Sequence, residues 1–180
     1  MDDARHGLTA DFEVLVIDDE AEIRDLMADY FTGLGFAVTR VSDGRAALVA
    51  LERYPNRFGL IMTDVNMPGV DGFGVLAEAR RLAPAAYVVI VTGYASLDSA
   101  IQAVRAGAYD YLPKPFALGQ LDVILQRIGN HVALERAARR APAAATGPAA
   151  SDGRSLEARL SAIERSLVRL EHLIQVANAR

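Results

Sequence analysis

Acidic, hydroxyl and ammonium groups stand in this sequence at the ends of short apolar runs. EVLVI (Glu13 to Ile17) leads into Asp18-Asp19-Glu20, and Phe58 to Thr63 leads into Asp64. Tyr87 to Val91 leads into Thr92, and Ala108 to Leu112 into Pro113-Lys114-Pro115. Three carboxylates crowded into one crevice repel one another, so such a set calls for a divalent cation. Oxygen ligands select a hard ion such as Mg²⁺, which keeps some waters and takes one or two protein carboxylates. An ammonium and a hydroxyl opposite the metal would bind the remaining oxygens of a phosphoryl group in transfer. That reaction needs mainly positioning and charge neutralisation. A carboxylate can be the nucleophile, giving an acyl phosphate.

Lys114 is the only lysine among 19 basic residues. A guanidinium is a broad planar fork, whereas an ammonium is a compact point charge. Reaching one phosphoryl oxygen from a tight loop suits the compact group, and a proline on either side stiffens that loop.

These groups work together only if the chain brings them to one place. The apolar runs read as buried strands, with a further strand at Phe36 to Val41. Between them lie helical patterns: Ile23, Leu26, Met27, Tyr30 and Phe31 on one face, then Gly44 to Tyr54, then Phe73 to Leu82. Ser96 can cap a helix running through Ala106, and a last helix starts near Ala117 and extends to about Arg139. Five strands alternating with five helices predict an α/β fold, a doubly wound five-stranded parallel sheet of the flavodoxin-like kind. In such a sheet ligands bind at the carboxyl ends of the strands, where all five polar groups would converge. Asp64 is the natural nucleophile, because its strand would lie near the middle of the crevice.

Residues 12–128 form this domain, and 129–153 read as a helix extension and a flexible linker of small residues, proline and glycine (APAAATGPAASDG, 141–153). Over 154–178 a heptad seam appears, with Leu156, Leu160, Ile163, Leu167, Leu170, Ile174 and Ala177 at alternating spacings of 4 and 3. It predicts a parallel coiled-coil homodimer, in which Arg159 faces Glu164 of the other chain. The alternative is an amphipathic helix docked on its own domain, since helices this short are weak alone.

Residues 11–128 carry 16 acidic and 10 basic side chains, so the main domain is a poor nucleic-acid binder. The chain is expected to be cytoplasmic. No apolar run approaches the roughly 20 residues that span a bilayer, and Met1 to Asp11 has no apolar signal core. The absence of cysteine excludes disulfides and thiolate metal sites. His6, His131 and His172 are scattered and read as solvated.

VLVIDDE, IMTDVNMPGVDG, VIVTGYAS and AYDYLPKPF stand in the order and spacing of a response-regulator receiver domain, which residues 12–128 resemble. The wording around Thr92 and Lys114 is similar to receivers of nitrogen-regulation-type activators, here expected without their ATPase and DNA-binding domains. The resemblance implies that Asp19, Asp64 and the backbone carbonyl of Asn66 ligate Mg²⁺, with Asp18 acting partly through metal-bound water. It implies that a sensor histidine kinase supplies the phosphoryl group to Asp64, and that Thr92 and Lys114 engage its oxygens. Tyr111 matches the family's switch aromatic, turning inward after phosphorylation as Thr92 moves toward the phosphoryl group. The expected function is a phosphorylated signalling switch acting through dimerisation or partner binding, not an enzyme on other substrates. A phosphate sink or shuttle is the alternative. An aspartyl phosphatase fits less well, because Asn66 stands where such enzymes need a second acid.

Overall fold

The computed structural model describes residues 12–140, so the linker and the heptad segment predicted over 141–178 lie outside the described residues. Strands β1 (Glu13–Ile17), β2 (Ala37–Val41), β3 (Phe58–Asp64), β4 (Tyr87–Thr92) and β5 (Asp110–Pro113) alternate with five helices. These are α1 (Ala21–Gly33), α2 (Gly44–Arg53), α3 (Gly72–Leu82), α4 (Leu97–Arg105) and α5 (Leu118–Arg140). All strands pair in parallel, in the order β2-β1-β3-β4-β5. The predicted sheet is therefore present. Its strand order reverses between β1 and β3, which opens the crevice at their carboxyl ends.

The central strands are apolar along their length because both sheet faces are covered. Val14 to Ile17, Leu60 to Met62 and Val88 to Val91 are wholly buried. Asp43, Asp71 and Ser96 each accept a backbone N–H at the first turn of α2, α3 and α4, satisfying donors that a helix start leaves free. Tyr30 of α1 donates to Asp122 of α5 at 2.8 Å, so these two helices are neighbours.

Two local readings need correction. Leu26, expected on the buried face of α1, is 43% exposed, and Met27, Ala28 and Phe31 form that face instead. β5 begins at Asp110 rather than Ala108. Gly107 takes φ 91°, and the Ala108 N–H is spent on the Ala103 carbonyl in closing α4. His131 is exposed, as expected, and its ring lies against those of Tyr87 and Tyr109, with centroids at 5.7 and 6.4 Å.

The contacts divide the chain into two units, Met1–His131 and Val132–Arg180. Of the second, the described part is the end of α5, whose residues 133–139 are exposed. No helix among the described residues is long and apolar enough to cross a membrane.

Candidate functional site

The site is built at the carboxyl ends of β1, β3, β4 and β5. Asp18 continues β1 beyond its last ladder pair and is held by its own N–H, which donates to the Val41 carbonyl at 3.3 Å. Its carbonyl accepts from the Arg24 guanidinium at 2.8 Å, and its Oδ1 accepts from the Glu20 N–H at 3.0 Å. Asp64 closes β3, with the next residue tied to β4 through Val65 N–H and the Val91 carbonyl at 3.2 Å. Its Oδ2 accepts from the Asn66 N–H at 3.2 Å.

Gly72, the first residue of α3, backs directly onto this strand end. A Cβ there would stand 2.2 Å from the Asp64 carbonyl oxygen. Only glycine allows the helix to start so close to the acceptor strand. Lys114 follows β5, and its N–H donates to the Thr92 carbonyl at 2.7 Å, which ties together the ends of β4 and β5. The Lys114-Pro115 bond is cis.

Asp18, Asp19 and Asp64 offer ligand atoms that all lie within 4.8 Å of one another. Lys114 Nζ stands 2.8 Å from Asp18 Oδ2 and 3.6 Å from Asp64 Oδ1. Asp18 and Asp64 are buried, while Asp19 is exposed at the mouth. Burial pushes the Asp18 and Asp64 carboxyls above the ordinary carboxylate range, and the Lys114 ammonium offsets this only in part. Burial also draws the Lys114 ammonium down, but its bonds to Asp18 and Glu20 outweigh that and raise its pKa.

Asp64 Oδ1 is buried without a hydrogen bond. An acidic oxygen in that condition, with two more carboxylates beside it, fits a bound divalent cation. The donor set is all oxygen, as Mg²⁺ requires.

Thr92 is buried, and its hydroxyl oxygen accepts from the Tyr94 N–H at 3.2 Å and the Asn66 side-chain amide at 3.4 Å. Tyr111 is also buried, with its hydroxyl 2.7 Å from Ser99 Oγ. Tyr111, expected from the resemblance to turn inward after phosphorylation, stands inward in this structure. Ser99 holds it there while also completing the capping box of α4 with Ser96. Sequence reasoning missed Ser99, as it missed Glu20, whose Oε1 accepts from Lys114 Nζ at 2.8 Å. Ser96 at the N-cap is a legible capping signal, but the third helical position of a capping box is typically Glu or Gln, and nothing in the motif signals the bond of Ser99 to Tyr111.

The family model of the response regulator receiver domain matches residues 14–126. The chain belongs to that family. It is 33% identical over 128 residues to the DNA-binding transcriptional regulator NtrC of Klebsiella pneumoniae, covering 71% of this chain and 27% of that protein. It thus spans about a quarter of the length of the first curated relatives it matches. Among solved receivers, that of Clostridium thermocellum superposes with a TM-score of 0.63 at 31% identity, covering 68% of this chain and 98% of the other. A response regulator of Burkholderia pseudomallei, solved with a phosphorylated aspartic acid, calcium ion and citrate, gives 0.60 at 31% identity. That match covers 72% of this chain and 75% of the other.

Proposed function

We propose that this receiver takes a phosphoryl group from a sensor histidine kinase onto Asp64 and signals through the resulting change of surface. The observation that carries the reading is the grouping of Asp18, Asp19 and Asp64 within 4.8 Å, with the Lys114 ammonium 3.6 Å from Asp64 Oδ1. Asp64 attacks the phosphorus of a phosphohistidine. An Oδ–P bond forms as the N–P bond breaks, and the imidazole leaves with the electron pair. Mg²⁺, when bound, would neutralise the crowded oxygens. Asp19, Asp64 and the Asn66 carbonyl would hold it, with Asp18 acting partly through water. Lys114 binds a phosphoryl oxygen from the other side, and the Thr92 hydroxyl exchanges its present partners for another. The phosphorylated aspartic acid in the Burkholderia protein supports the same chemistry here.

Thr92 and Tyr111 then form the switch. The Tyr111–Ser99 bond joins the aromatic to the start of α4, so a shift of Thr92 is felt by both. The output we assign to partner binding and self-association of the heptad segment through Leu156, Leu160, Ile163, Leu167, Leu170 and Ile174. The acidic balance of residues 11–128 disfavours direct contact with nucleic acid.

Incubation with acetyl phosphate and Mg²⁺, followed by intact-mass measurement, tests the reading. Wild type should gain one phosphoryl group that hydroxylamine removes, and Asp64→Asn should gain none. Unchanged labelling in Asp64→Asn refutes it.

A further inference from the structure

Lys114 is nearer to the acids that follow β1 than to the proposed acceptor. Its Nζ lies 2.8 Å from Glu20 Oε1 and 2.8 Å from Asp18 Oδ2, against 3.6 Å from Asp64 Oδ1. Glu20 is the N-cap residue of α1, yet its side chain caps nothing. Such positions favour Ser, Thr, Asp or Asn, whose short side chains reach the free N–H groups of the first turn. The Glu20 backbone is fixed by other means, its N–H on Asp18 Oδ1 and its carbonyl accepting from the Arg24 N–H, both at 3.0 Å. Its long side chain is instead spent across the crevice on Lys114, although it is 62% exposed.

We propose that Glu20 is a positioning residue that holds the Lys114 ammonium off Asp64 and competes for it with the incoming phosphoryl group. The proposal rests on the reading of Asp64 as acceptor and deepens it. An exposed carboxylate is a weak holder, so a phosphoryl group, with more charge and more oxygens, displaces it. Glu20 therefore sets a threshold for phosphorylation rather than blocking it. It releases Lys114 only to a stronger anion, and takes it back when that anion leaves.

The test uses the full chain with saturating Mg²⁺ and acetyl phosphate. In this reaction an Asp64 Oδ–P bond forms as the donor's bridging P–O bond breaks and acetate leaves with the electron pair. Glu20→Gln keeps the length and removes the charge. Glu22→Gln removes the same charge from the exposed first turn of the same helix, and so controls for the general field on an anionic donor. Initial rates are read by intact mass. Because Lys114 is the single lysine, its ¹³Cε resonance reports the ammonium contact without ambiguity.

Glu20→Gln should label roughly two- to fivefold faster than wild type, the range expected for losing one exposed ion pair. Its Lys114 resonance should shift before any donor is added. Glu22→Gln should match wild type in both. Equal rates for wild type and Glu20→Gln overturn the proposal alone, and so does an equal acceleration in Glu22→Gln. A wild-type chain that takes no phosphoryl group overturns the reading beneath it, and the proposal with it.

Discussion

Asp64→Asn should make the metal-free domain more stable, although it deletes the residue on which the proposed chemistry depends. The buried Asp64 carboxylate feels one cation and two anions. Lys114 at 3.6 Å attracts it, by about 4–5 kcal/mol at an effective dielectric constant near 20. Asp18 and Asp19, within 4.8 Å, repel it by roughly 3.5 kcal/mol each on the same scale. Asp19 is exposed, so solvent discounts its share. To this balance is added the cost of a buried oxygen without a hydrogen bond, at Oδ1, about 1–3 kcal/mol. Asparagine removes the charge and can still present an oxygen to the Asn66 N–H. A net gain of about 1–2 kcal/mol follows, or roughly 4–8 °C in melting temperature for a domain of about 120 residues.

The sign with pH agrees. Burial holds the folded-state pKa of Asp18 and of Asp64 above the ordinary aspartate value of 3.8, so the folded state holds protons that the unfolded state has released. Their contribution is fully favourable below pH 3.8 and is lost as pH rises through the folded values, which leaves a cost at neutrality. Thermal melts of wild type and Asp64→Asn at pH 7 in chelator, then with added Mg²⁺, measure both effects. With Mg²⁺ at a hundred times its dissociation constant, wild type gains about 2.7 kcal/mol, and the ranking should reverse. If Asp64→Asn melts below wild type in chelator, the burial and crowding argument is wrong.

Other substitutions probe the supports of the site. Lys114→Ala removes the ammonium beside a wholly buried Asp18 and should cost about 3 kcal/mol in denaturant melts without metal. Gly72→Ala drives a methyl group into the Asp64 carbonyl. It should cost about 1–3 kcal/mol and slow acetyl-phosphate labelling, whereas a normal rate would mean that the strand end tolerates displacement. Ser99→Ala deletes both the Tyr111 partner and half of the α4 capping box. It should cost about 1 kcal/mol and speed hydrogen exchange in the first turn of α4 while leaving the β3 amides protected. If the heptad segment self-associates as proposed, deleting residues 154–180 should lower the molar mass in light-scattering measurements to that of a monomer, and an unchanged association state would remove the coiled-coil reading.

The sheet and the convergence of Asp18, Asp64, Thr92 and Lys114 were legible because a parallel strand is written as an uninterrupted apolar run. The rule for where ligands bind then needs only the residue that ends each run. The corrections arose where the outcome depends on neighbours rather than on pattern. Leu26 satisfies helical spacing but lies off the stripe that Met27, Ala28 and Phe31 bury. Ala108 looks like strand, but it is used to close the preceding helix at Gly107. The inward Tyr111 and the reach of Glu20 to Lys114 are choices of rotamer and partner, which residue spacing does not encode.

Those partnerships connect the cost of the site to its proposed use. A crevice whose carboxylates were each fully matched within the protein would offer a cation little to gain. Here Asp64 Oδ1 has no hydrogen bond, and the nearest ammonium is shared with Asp18 and Glu20. Binding a cation would relieve the crowded acids. A phosphoryl group on Asp64 would then be the one anion able to draw Lys114 across the remaining gap. The Lys114 N–H is fixed to the Thr92 carbonyl at 2.7 Å, so movement of the ammonium bears on the strand end that carries the hydroxyl. From there the Tyr94 N–H on Thr92 Oγ1 and the Ser99–Tyr111 bond lead along the start of α4. The same under-satisfied charge that weakens the metal-free fold would thereby be the means by which, in the proposed switch, one phosphoryl group changes a surface beyond its own contacts.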